Sequence, residues 1–309
     1  MNTHQRRALR FGIAFLAFAA LAASRMSAQA PAAAQPPDYS KVEIQTTQLA
    51  PNFSRFEAVG PVLVGNAGAF TGPDGVLLVD AMFAQLNDKL VAAIKKVSDG
   101  RIRFLVNTHH HPDHTSGNPN FGAMGATILA RDELRAHLAS GNNPTPAAGL
   151  PVITYRNPVT LHVNGDDVQL IPVMNAHTDG DTMVYFPKAD VIMTGDFYRS
   201  IQYPNIDRNN GGSLKGVIDG LNAVIALAKP STKIMPGHGP VVDKTAIAAN
   251  VELISTIRTR VAALIAQGKT QEEVIAAKPL ADLDARVQQV GTTGDRFLGQ
   301  VYAELKAGK

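Results

Sequence analysis

Residues 107–118 of this 309-residue chain read Asn-Thr-His-His-His-Pro-Asp-His-Thr-Ser-Gly-Asn, and they decide both the fold and the chemistry. The short apolar run 102–106 precedes them and is typical of a buried strand. Three imidazoles and one carboxylate therefore follow the end of a strand: His109, His111, Asp113 and His114. These ligand types suit zinc. Because one short segment cannot wrap four ligands around one ion, the spacing favours two ions that later residues complete.

Three later segments supply further metal-competent side chains. Each follows a short apolar run and lies in a glycine-containing turn, and the residues are His177, Asp196 and His238. Functional side chains on loops that a rigid sheet holds in place are a common arrangement. A single histidine is more often a packed or surface residue than a ligand. Seven metal-competent residues in this order, each after a strand, instead indicate a metal site.

On these motifs the chain resembles the metallo-β-lactamase superfamily of dinuclear zinc hydrolases, from about Phe53 to Val242. The resemblance assigns His109, His111 and His177 to one zinc ion, Asp113, His114 and His238 to a second, and Asp196 to the bridge between them. It also implies that a hydroxide shared by the two ions is the nucleophile. Asp113, expected to be both ligand and catalytic residue, would orient the attacking water or accept its proton.

The resemblance implies an α+β fold, a four-layer αββα sandwich, over residues 41–243. Hydrophobic patterns predict strands at 42–46, 53–56, 62–64 and 76–80, and the turn 72–75 predicts a hairpin. An amphipathic helix is predicted over 85–98. Residues 244–309 read as a helical C-terminal extension packed on the same domain. Capping of the sandwich, contact with a partner chain and a place at the pocket mouth all stay open for this extension.

The first 30 residues have the pattern of a secretory signal peptide. Arginines precede the apolar run Phe11 to Ala23, and Ala28-Gln29-Ala30 is a cleavage pattern. That run is too short for a stable transmembrane helix. Residues 31–40 read as a flexible tether. We expect a periplasmic or secreted protein, exported by the Sec route in preference to the twin-arginine route.

Charge and cysteine content exclude two classes of protein. Residues 1–30 contain four arginines and no acid, so the rest of the chain has 25 Lys and Arg against 26 Asp and Glu. A nucleic-acid-binding protein would carry a strong basic excess. We therefore expect no nucleic-acid partner, and no integral membrane association after signal removal. The absence of cysteine excludes the β-lactamase subclasses that use a Cys thiolate on the second zinc.

Five other residues near these motifs are not expected to be ligands. Alternation in an extended segment points His110 away from the face of His109 and His111, in an outer-sphere or solvent role. His137, in a charged helical stretch, and His162, on the polar face of a predicted strand, should lie on the surface. Asp179 and Asp181 either receive imidazole N–H groups or shape the turn around His177.

The segment after Asp196 should form the rim of the site. Arg199 stands where related β-lactamases have a Lys that grips the substrate carboxylate, so it is a candidate for that role. The alternative is a surface arginine paired with Asp207 or solvent. Tyr203 and Asn205 are candidate donors to a developing oxyanion.

Three functions are open on this sequence. The leading one is an exported zinc-dependent hydrolase that opens a β-lactam, lactone or ester in a small-molecule substrate, with β-lactam narrowly preferred. The second is a hydrolase of phosphoric or sulfuric esters at the same site, and the third is a non-catalytic zinc-binding or relay protein of the envelope. The bridging Asp196 departs from the pattern of most true β-lactamases. In the segments around Asp196 and His238, the sequence looks like the exported cyclase-like zinc hydrolases, whose substrates are mostly unassigned.

Overall fold

The computed structural model describes residues 37–308, in which two β-sheets form the centre of the molecule. The first sheet has seven strands in chain order, of which the first four run antiparallel and the last four are mutually parallel. They are β1 (Glu43–Ala50), β2 (Phe53–Val59), β3 (Ala67–Gly72), β4 (Gly75–Val79), β5 (Ile102–Val106), β6 (Thr127–Arg131) and β7 (Ile153–Tyr155).

The second sheet has five strands in the order β12-β11-β10-β9-β8, antiparallel except for the parallel pair β11 and β12. They are β8 (Val159–Val163), β9 (Asp166–Pro172), β10 (Thr182–Phe186), β11 (Val191–Arg199) and β12 (Lys233–His238). Phe53 and Phe70 of the first sheet meet Phe186 of the second at ring-centroid distances of 4.8 and 5.2 Å. The two sheets therefore share one apolar core.

Helices cover the outer face of each sheet and complete four layers. The helices are α1 (Asn87–Lys95), α2 (Pro112–Thr115), α3 (Asn118–Ala123), α4 (Asp132–Ala139), α5 (Leu214–Leu227), α6 (Lys244–Ala266), α7 (Gln271–Ala276) and α8 (Thr293–Lys306). Leu90 and Ile94 of α1 pack in the core of the first sheet. Leu221, Ile254 and Phe297, from α5, α6 and α8, pack in the core outside the second sheet. The expected α+β sandwich of type αββα is confirmed.

The residues predicted as a C-terminal extension are helical and share a core with the second sheet, through α6, α7 and α8. None of the helices between residues 37 and 308 has the length and apolarity that a bilayer crossing requires. The predicted signal peptide, 1–30, lies outside the described residues. Of the predicted tether 31–40, residues 31–36 also lie outside the described residues, while Tyr39–Lys41 form a 3₁₀ turn and Tyr39 packs on Phe83.

The strand predicted at 62–64 is wrong, and β3 takes its place a few residues later. Leu63 is 47% exposed in a loop. The small residues of β3 carry little strand signal, yet they are required there, since a Cβ on Gly68 would lie 2.7 Å from the Met193 sulfur. The hairpin at 72–75 is confirmed, with Gly72 paired to Gly75.

Candidate metal centre

All seven predicted ligands come together at one end of the two sheets. One ligand atom from each of four residues lies within 4.8 Å of the others, and these are His109, His111, His177 and Asp196. Asp113, His114 and His238 form a second group within the same distance. These groups are the two ligand sets that the sequence motifs suggested, with Asp196 within 3.3 Å of His114 and His238 of the second set.

Parallel strands bring these side chains to one edge. The 107–114 segment leaves β5, whose neighbour β4 ends at the same level because Val79 pairs with Val106. Asp196 and His238 come from β11 and β12, which are also parallel. Because parallel strands end at the same edge, the segments after them converge there.

Two glycines allow the close approach of these strands. Gly195 has φ +57°, and a Cβ there would lie 2.6 Å from the Thr108 hydroxyl. A Cβ on Gly237 would lie 1.9 Å from Asp196 Oδ1. Both positions therefore require glycine for the carboxylate to reach the histidines.

In the first group, two imidazoles donate their N–H hydrogens to partners outside the group. His177 donates its Nδ1 hydrogen to the carbonyl oxygen of Asn205 at 2.6 Å, since a carbonyl can only accept. His111 likewise donates from Nε2 to the Asp207 carboxylate at 2.9 Å. The remaining ring nitrogens, His177 Nε2 and His111 Nδ1, face each other at 2.9 Å. These two nitrogens are turned to one point, an arrangement that a cation between them would stabilise.

The second group has the spacing of a coordination shell. The His238 and His114 Nε2 atoms lie 3.1 and 3.4 Å from Asp113 Oδ2, and both lie 3.3 Å from an oxygen of Asp196. Tetrahedral ligands about 2.0–2.1 Å from a zinc ion are about 3.3 Å apart. The Nε2 atoms of His109, His114 and His238 and Asp196 Oδ1 are buried without a hydrogen-bond partner among the described residues. The donor set therefore fits a bound metal such as zinc, and Asp196 lies within reach of both groups.

Burial and neighbouring charges set the protonation of these groups. Burial lowers the pKa of His177 to about 3 and that of His109 well below its usual value, so both imidazoles are neutral and metal-competent. Burial opposes a charge on His114, but the carboxylates of Asp113, Asp80 and Asp196 outweigh it and raise the His114 pKa. The second group therefore stabilises positive charge, as a metal-binding pocket must.

Sequence reasoning missed two carboxylates that hold the ligands. Asp80 accepts the Nδ1 hydrogen of His114 at 2.8 Å, and Thr108 donates to Asp80 from its backbone N–H and its hydroxyl. Asp207 receives His111, as described above. Such partners fix the tautomer and orientation of a ligating imidazole. Asp80 is an acid at the end of the predicted strand 76–80, and this position was a usable signal for its role. Asp207 lies in a loop, where the sequence offers no such signal.

The other histidines separate into two kinds. His162 is confirmed as a surface residue, with its side chain 79% exposed. His110 is turned away from the ligands, as expected, and stacks on His137 with ring centroids 4.3 Å apart. His137 is only 26% exposed and bonds Asp179 at 2.8 Å, which corrects its prediction as a surface residue.

Neither aspartate beside His177 contacts a ligating imidazole. Asp181 accepts from the Thr178 N–H and hydroxyl at 2.9 and 2.6 Å, so it shapes the turn. Asp179 receives His137 instead. Asp181 therefore forms the turn around His177, whereas Asp179 neither receives an imidazole N–H from a ligand nor forms this turn.

The structure corrects two of the three expected substrate contacts. Arg199 donates to Asp196 Oδ2 from Nε at 3.1 Å and from Nη2, and its side chain is 9% exposed. The Arg199 guanidinium therefore pairs with Asp196, one of the predicted metal ligands, and not with Asp207. Tyr203 is fully buried and donates its hydroxyl to Asp284 at 2.8 Å, away from the metal groups.

Asn205 lies beside the metal centre. Its carbonyl receives His177, and its side-chain oxygen accepts from Gln300 of α8 at 3.1 Å. It also lines an open cavity of about 530 Å³ that has His111 on its wall. Asn205 thus remains a candidate substrate contact, and the cavity lies between His111 and α8.

Known proteins share this fold and motif. The family model "Metallo-beta-lactamase superfamily" matches residues 60–251. A metallo-beta-lactamase type 2 of Elizabethkingia meningoseptica is 22% identical over 197 residues, which cover 63% of this chain and 77% of the relative. A linear primary-alkylsulfatase of Pseudomonas sp. is 22% identical over 211 residues, covering 54% of this chain and 40% of the relative.

Solved structures agree with the fold. A metallo-beta-lactamase from Pontibacter korlensis superposes with TM-score 0.60 at 19% identity, over 69% of this chain and 99% of that one. A sec-alkylsulfatase from Pseudomonas sp. superposes with TM-score 0.67 at 18% identity, over 84% of this chain and 50% of that one. The chain thus spans half or less of the alkylsulfatases it matches. The family match, the four layers and the two ligand groups agree, and the chain belongs to the metallo-β-lactamase superfamily of metal-dependent hydrolases.

Proposed function

We propose that this protein is an exported hydrolase that holds two zinc ions and opens an activated acyl bond, a β-lactam, lactone or ester, in a small molecule. The observation that carries the proposal is the pair of ligand groups that share Asp196, with buried nitrogen and oxygen atoms turned to common points. The zinc ions supply Lewis-acid activation of water and of the substrate oxygen.

Asp113 is the residue best placed to handle the proton of the attacking water. Burial opposes its ionisation, but the positive charge of His114 and the close approach of His238 hold the pKa of Asp113 well below the usual range. Its side chain keeps 17% exposure, whereas that of Asp196 is fully buried. Asp113 is thus an ionised carboxylate within reach of water, as a proton-accepting or orienting group must be.

The substrate preference changes with the placement of Arg199. Sequence reasoning favoured a β-lactam because Arg199 could grip a carboxylate, and that support is lost once the guanidinium binds Asp196. A β-lactam, a lactone and an ester therefore stand equal in this proposal. A named β-lactamase among the relatives supports the acyl class as a whole.

Sulfuric esters are the second candidate, on a specific observation. The alkylsulfatase structure superposes on 84% of this chain against 69% for the β-lactamase. The larger share exceeds what residues 41–243 alone supply, so it takes in part of the C-terminal helices. Together with the alkylsulfatase among the sequence relatives, this shared extent supports sulfuric esters as the second candidate.

A panel of substrates on the zinc-loaded protein tests both candidates. It comprises nitrocefin, an uncharged lactone, p-nitrophenyl acetate, p-nitrophenyl sulfate and p-nitrophenyl phosphate, each with Asp113→Asn as control. Turnover of an acyl substrate that Asp113→Asn lowers about 10²-fold or more supports the proposal. Turnover of the sulfate alone selects the second candidate. A full zinc complement without turnover of any substrate supports a binding or relay protein.

Export is tested separately. The signal pattern in residues 1–30 supports it. Expressed in a Gram-negative cell, the protein should occur in the periplasm or medium with a new N-terminus near residues 31–35. Full-length protein confined to the cytoplasm would refute export and leave the hydrolase proposal intact.

A further inference from the structure

Arg296, on α8, lines the cavity that has His111 on its wall. Its neighbours on the helix, Phe297 and Leu298, face the core outside the second sheet. The C-terminal extension therefore brings a cationic side chain to the edge of the metal centre.

The guanidinium of Arg296 has no direct partner among residues 37–308, and the carboxylate of Asp196 acts on it without a hydrogen bond. The Nε and Nη2 atoms of Arg296 are buried without a hydrogen-bond partner, and it makes no ion pair with any of residues 37–308. The buried arginines Arg131 and Arg199 each have a carboxylate partner. Arg296 as a whole is only partly buried, but two of its N–H-bearing nitrogens are shielded from water, so an anion that enters the cavity would supply their missing acceptors.

The acids of the cavity do not meet this need. Asp207 already accepts from His111 and Asn210. Asp295 is exposed and makes no ion pair within the described chain. Arg208 also lines the cavity and, within residues 37–308, has no carboxylate partner. The wall therefore carries two arginines, Arg208 and Arg296, and two aspartates, and neither arginine forms an ion pair with either aspartate among residues 37–308.

α8 is held firmly against the metal centre. Gln300, one turn after Arg296, accepts from the Ile206 N–H at 3.0 Å and donates to Asn205 at 3.1 Å. Further along, Glu304 accepts from the first N–H groups of α5, Leu214 at 2.6 Å and Lys215 at 3.2 Å. The loop that supports His177 is thus tied to α8, which fixes Arg296 relative to the metal ligands.

We propose that Arg296 binds an anionic group, a carboxylate or a sulfate, on the substrate of this enzyme, and so determines its specificity. The planar guanidinium can hold either group through two N–H donors. The inference rests on the proposed function for the reaction, and it assigns the C-terminal extension a place in the binding site. Arg199 does not take this role because its donors are used by Asp196.

The test compares Arg296→Met and Arg296→Lys with wild type on anionic and neutral substrates, of which p-nitrophenyl sulfate and p-nitrophenyl acetate share a leaving group. For p-nitrophenyl sulfate or nitrocefin, Arg296→Met should raise KM roughly ten- to hundred-fold with little change in kcat. Arg296→Lys, which keeps the positive charge, should have a KM between those of Arg296→Met and wild type. For p-nitrophenyl acetate, kcat/KM should stay within about three-fold. Arg258→Met, an exposed arginine on α6, is the matched control and should change neither.

Calorimetry with sodium sulfate and sodium benzoate gives a readout that does not need turnover. Wild-type zinc-loaded protein should bind at least one of them roughly ten-fold or more tightly than Arg296→Met, and the tighter anion identifies the substrate group. This result without hydrolysis of any substrate would sink the proposed function and keep the anion site. Equal anion affinity in the two proteins, or equal losses on charged and neutral substrates, overturns the role of Arg296.

Discussion

The carboxylate of Asp80 accepts the Nδ1 hydrogen of His114 at 2.8 Å, across a sequence separation of 34 residues. The bond leaves Nε2 of His114 as the nitrogen that faces Asp113 and Asp196. Asp80 has φ +63° and is fully buried, so a strained backbone position is used to hold it there. The tautomer of a metal ligand is therefore set by a residue outside the ligand motif.

Asp80→Asn should lower zinc affinity at the second group about ten- to hundred-fold. An amide oxygen is a weaker acceptor than a carboxylate, so His114 loses the partner that orients it and makes it basic. Asn tolerates positive φ, so the fold should survive. Competition with a chromophoric zinc chelator measures the affinity. Asp190→Asn is the control, because Asp190 also has positive φ, +56°, but bonds Ser231 and Thr232; equal weakening in both variants would refute the role of Asp80.

His111→Ala should abolish hydrolysis, while His162→Ala should keep activity within a few-fold of wild type. His111 turns a lone pair toward His177 at 2.9 Å, whereas His162 is 79% exposed on β8. Steady-state rates on any substrate that the panel identifies, with thermal melting to confirm folding, decide the matter. A folded His111→Ala protein with wild-type activity would remove His111 from the site.

Arg199→Met should lower kcat/KM about ten-fold or more, and equally for anionic and neutral substrates. The substitution removes two charge-assisted hydrogen bonds that Arg199 donates to Asp196, so the Asp196 carboxylate is less well oriented between the two ligand groups. The rates are to be measured on the same substrates as for Arg296→Met. A loss confined to anionic substrates would instead return Arg199 to the substrate-binding role expected from sequence.

Asp181 should make stability fall as pH rises between about 4 and about 7. Burial raises the pKa of this carboxyl to about 7, above the value of about 3.9 expected in the unfolded chain. The folded state therefore binds the proton more tightly, and ionisation costs about 1.4 kcal/mol per pH unit in that window. Asp181→Asn removes this dependence. The difference in the free energy of unfolding between variant and wild type, at matched zinc content, should grow from pH 4 to pH 7; a constant difference would contradict the shift.

The sequence predicted which metal-competent side chains lie together, because metal ligation requires particular side chains after particular strands. His109 to His114, His177, Asp196 and His238 each follow a short apolar run. Parallel pairing brings together the ends of β4 and β5 and those of β11 and β12, whereas His177 follows β9, which pairs antiparallel with its neighbours. The turn residues also predicted the hairpin at 72–75 correctly. The strand was predicted at 62–64 because that segment is apolar, whereas β3 consists largely of small residues that packing requires there.

The residues that hold the ligands and receive the substrate were harder to predict. Asp207 and Arg296 reach the site from a loop and from the C-terminal helix, and only tertiary packing brings them to His111. Tyr203 and Arg199 have the right chemistry near Asp196 in sequence, but their hydrogen bonds go to Asp284 and to Asp196 itself. Short-range spacing cannot predict such partners, because they depend on how distant segments pack.

Zinc stoichiometry tests the central claim most directly. After loading with excess zinc and dialysis, metal analysis of the wild-type protein should give two equivalents per chain, because two ligand groups share Asp196. His114→Ala should lower the value to about one, since the first group keeps its three histidines. A firm plateau at one equivalent in wild type, unchanged in His114→Ala, would contradict the dinuclear centre.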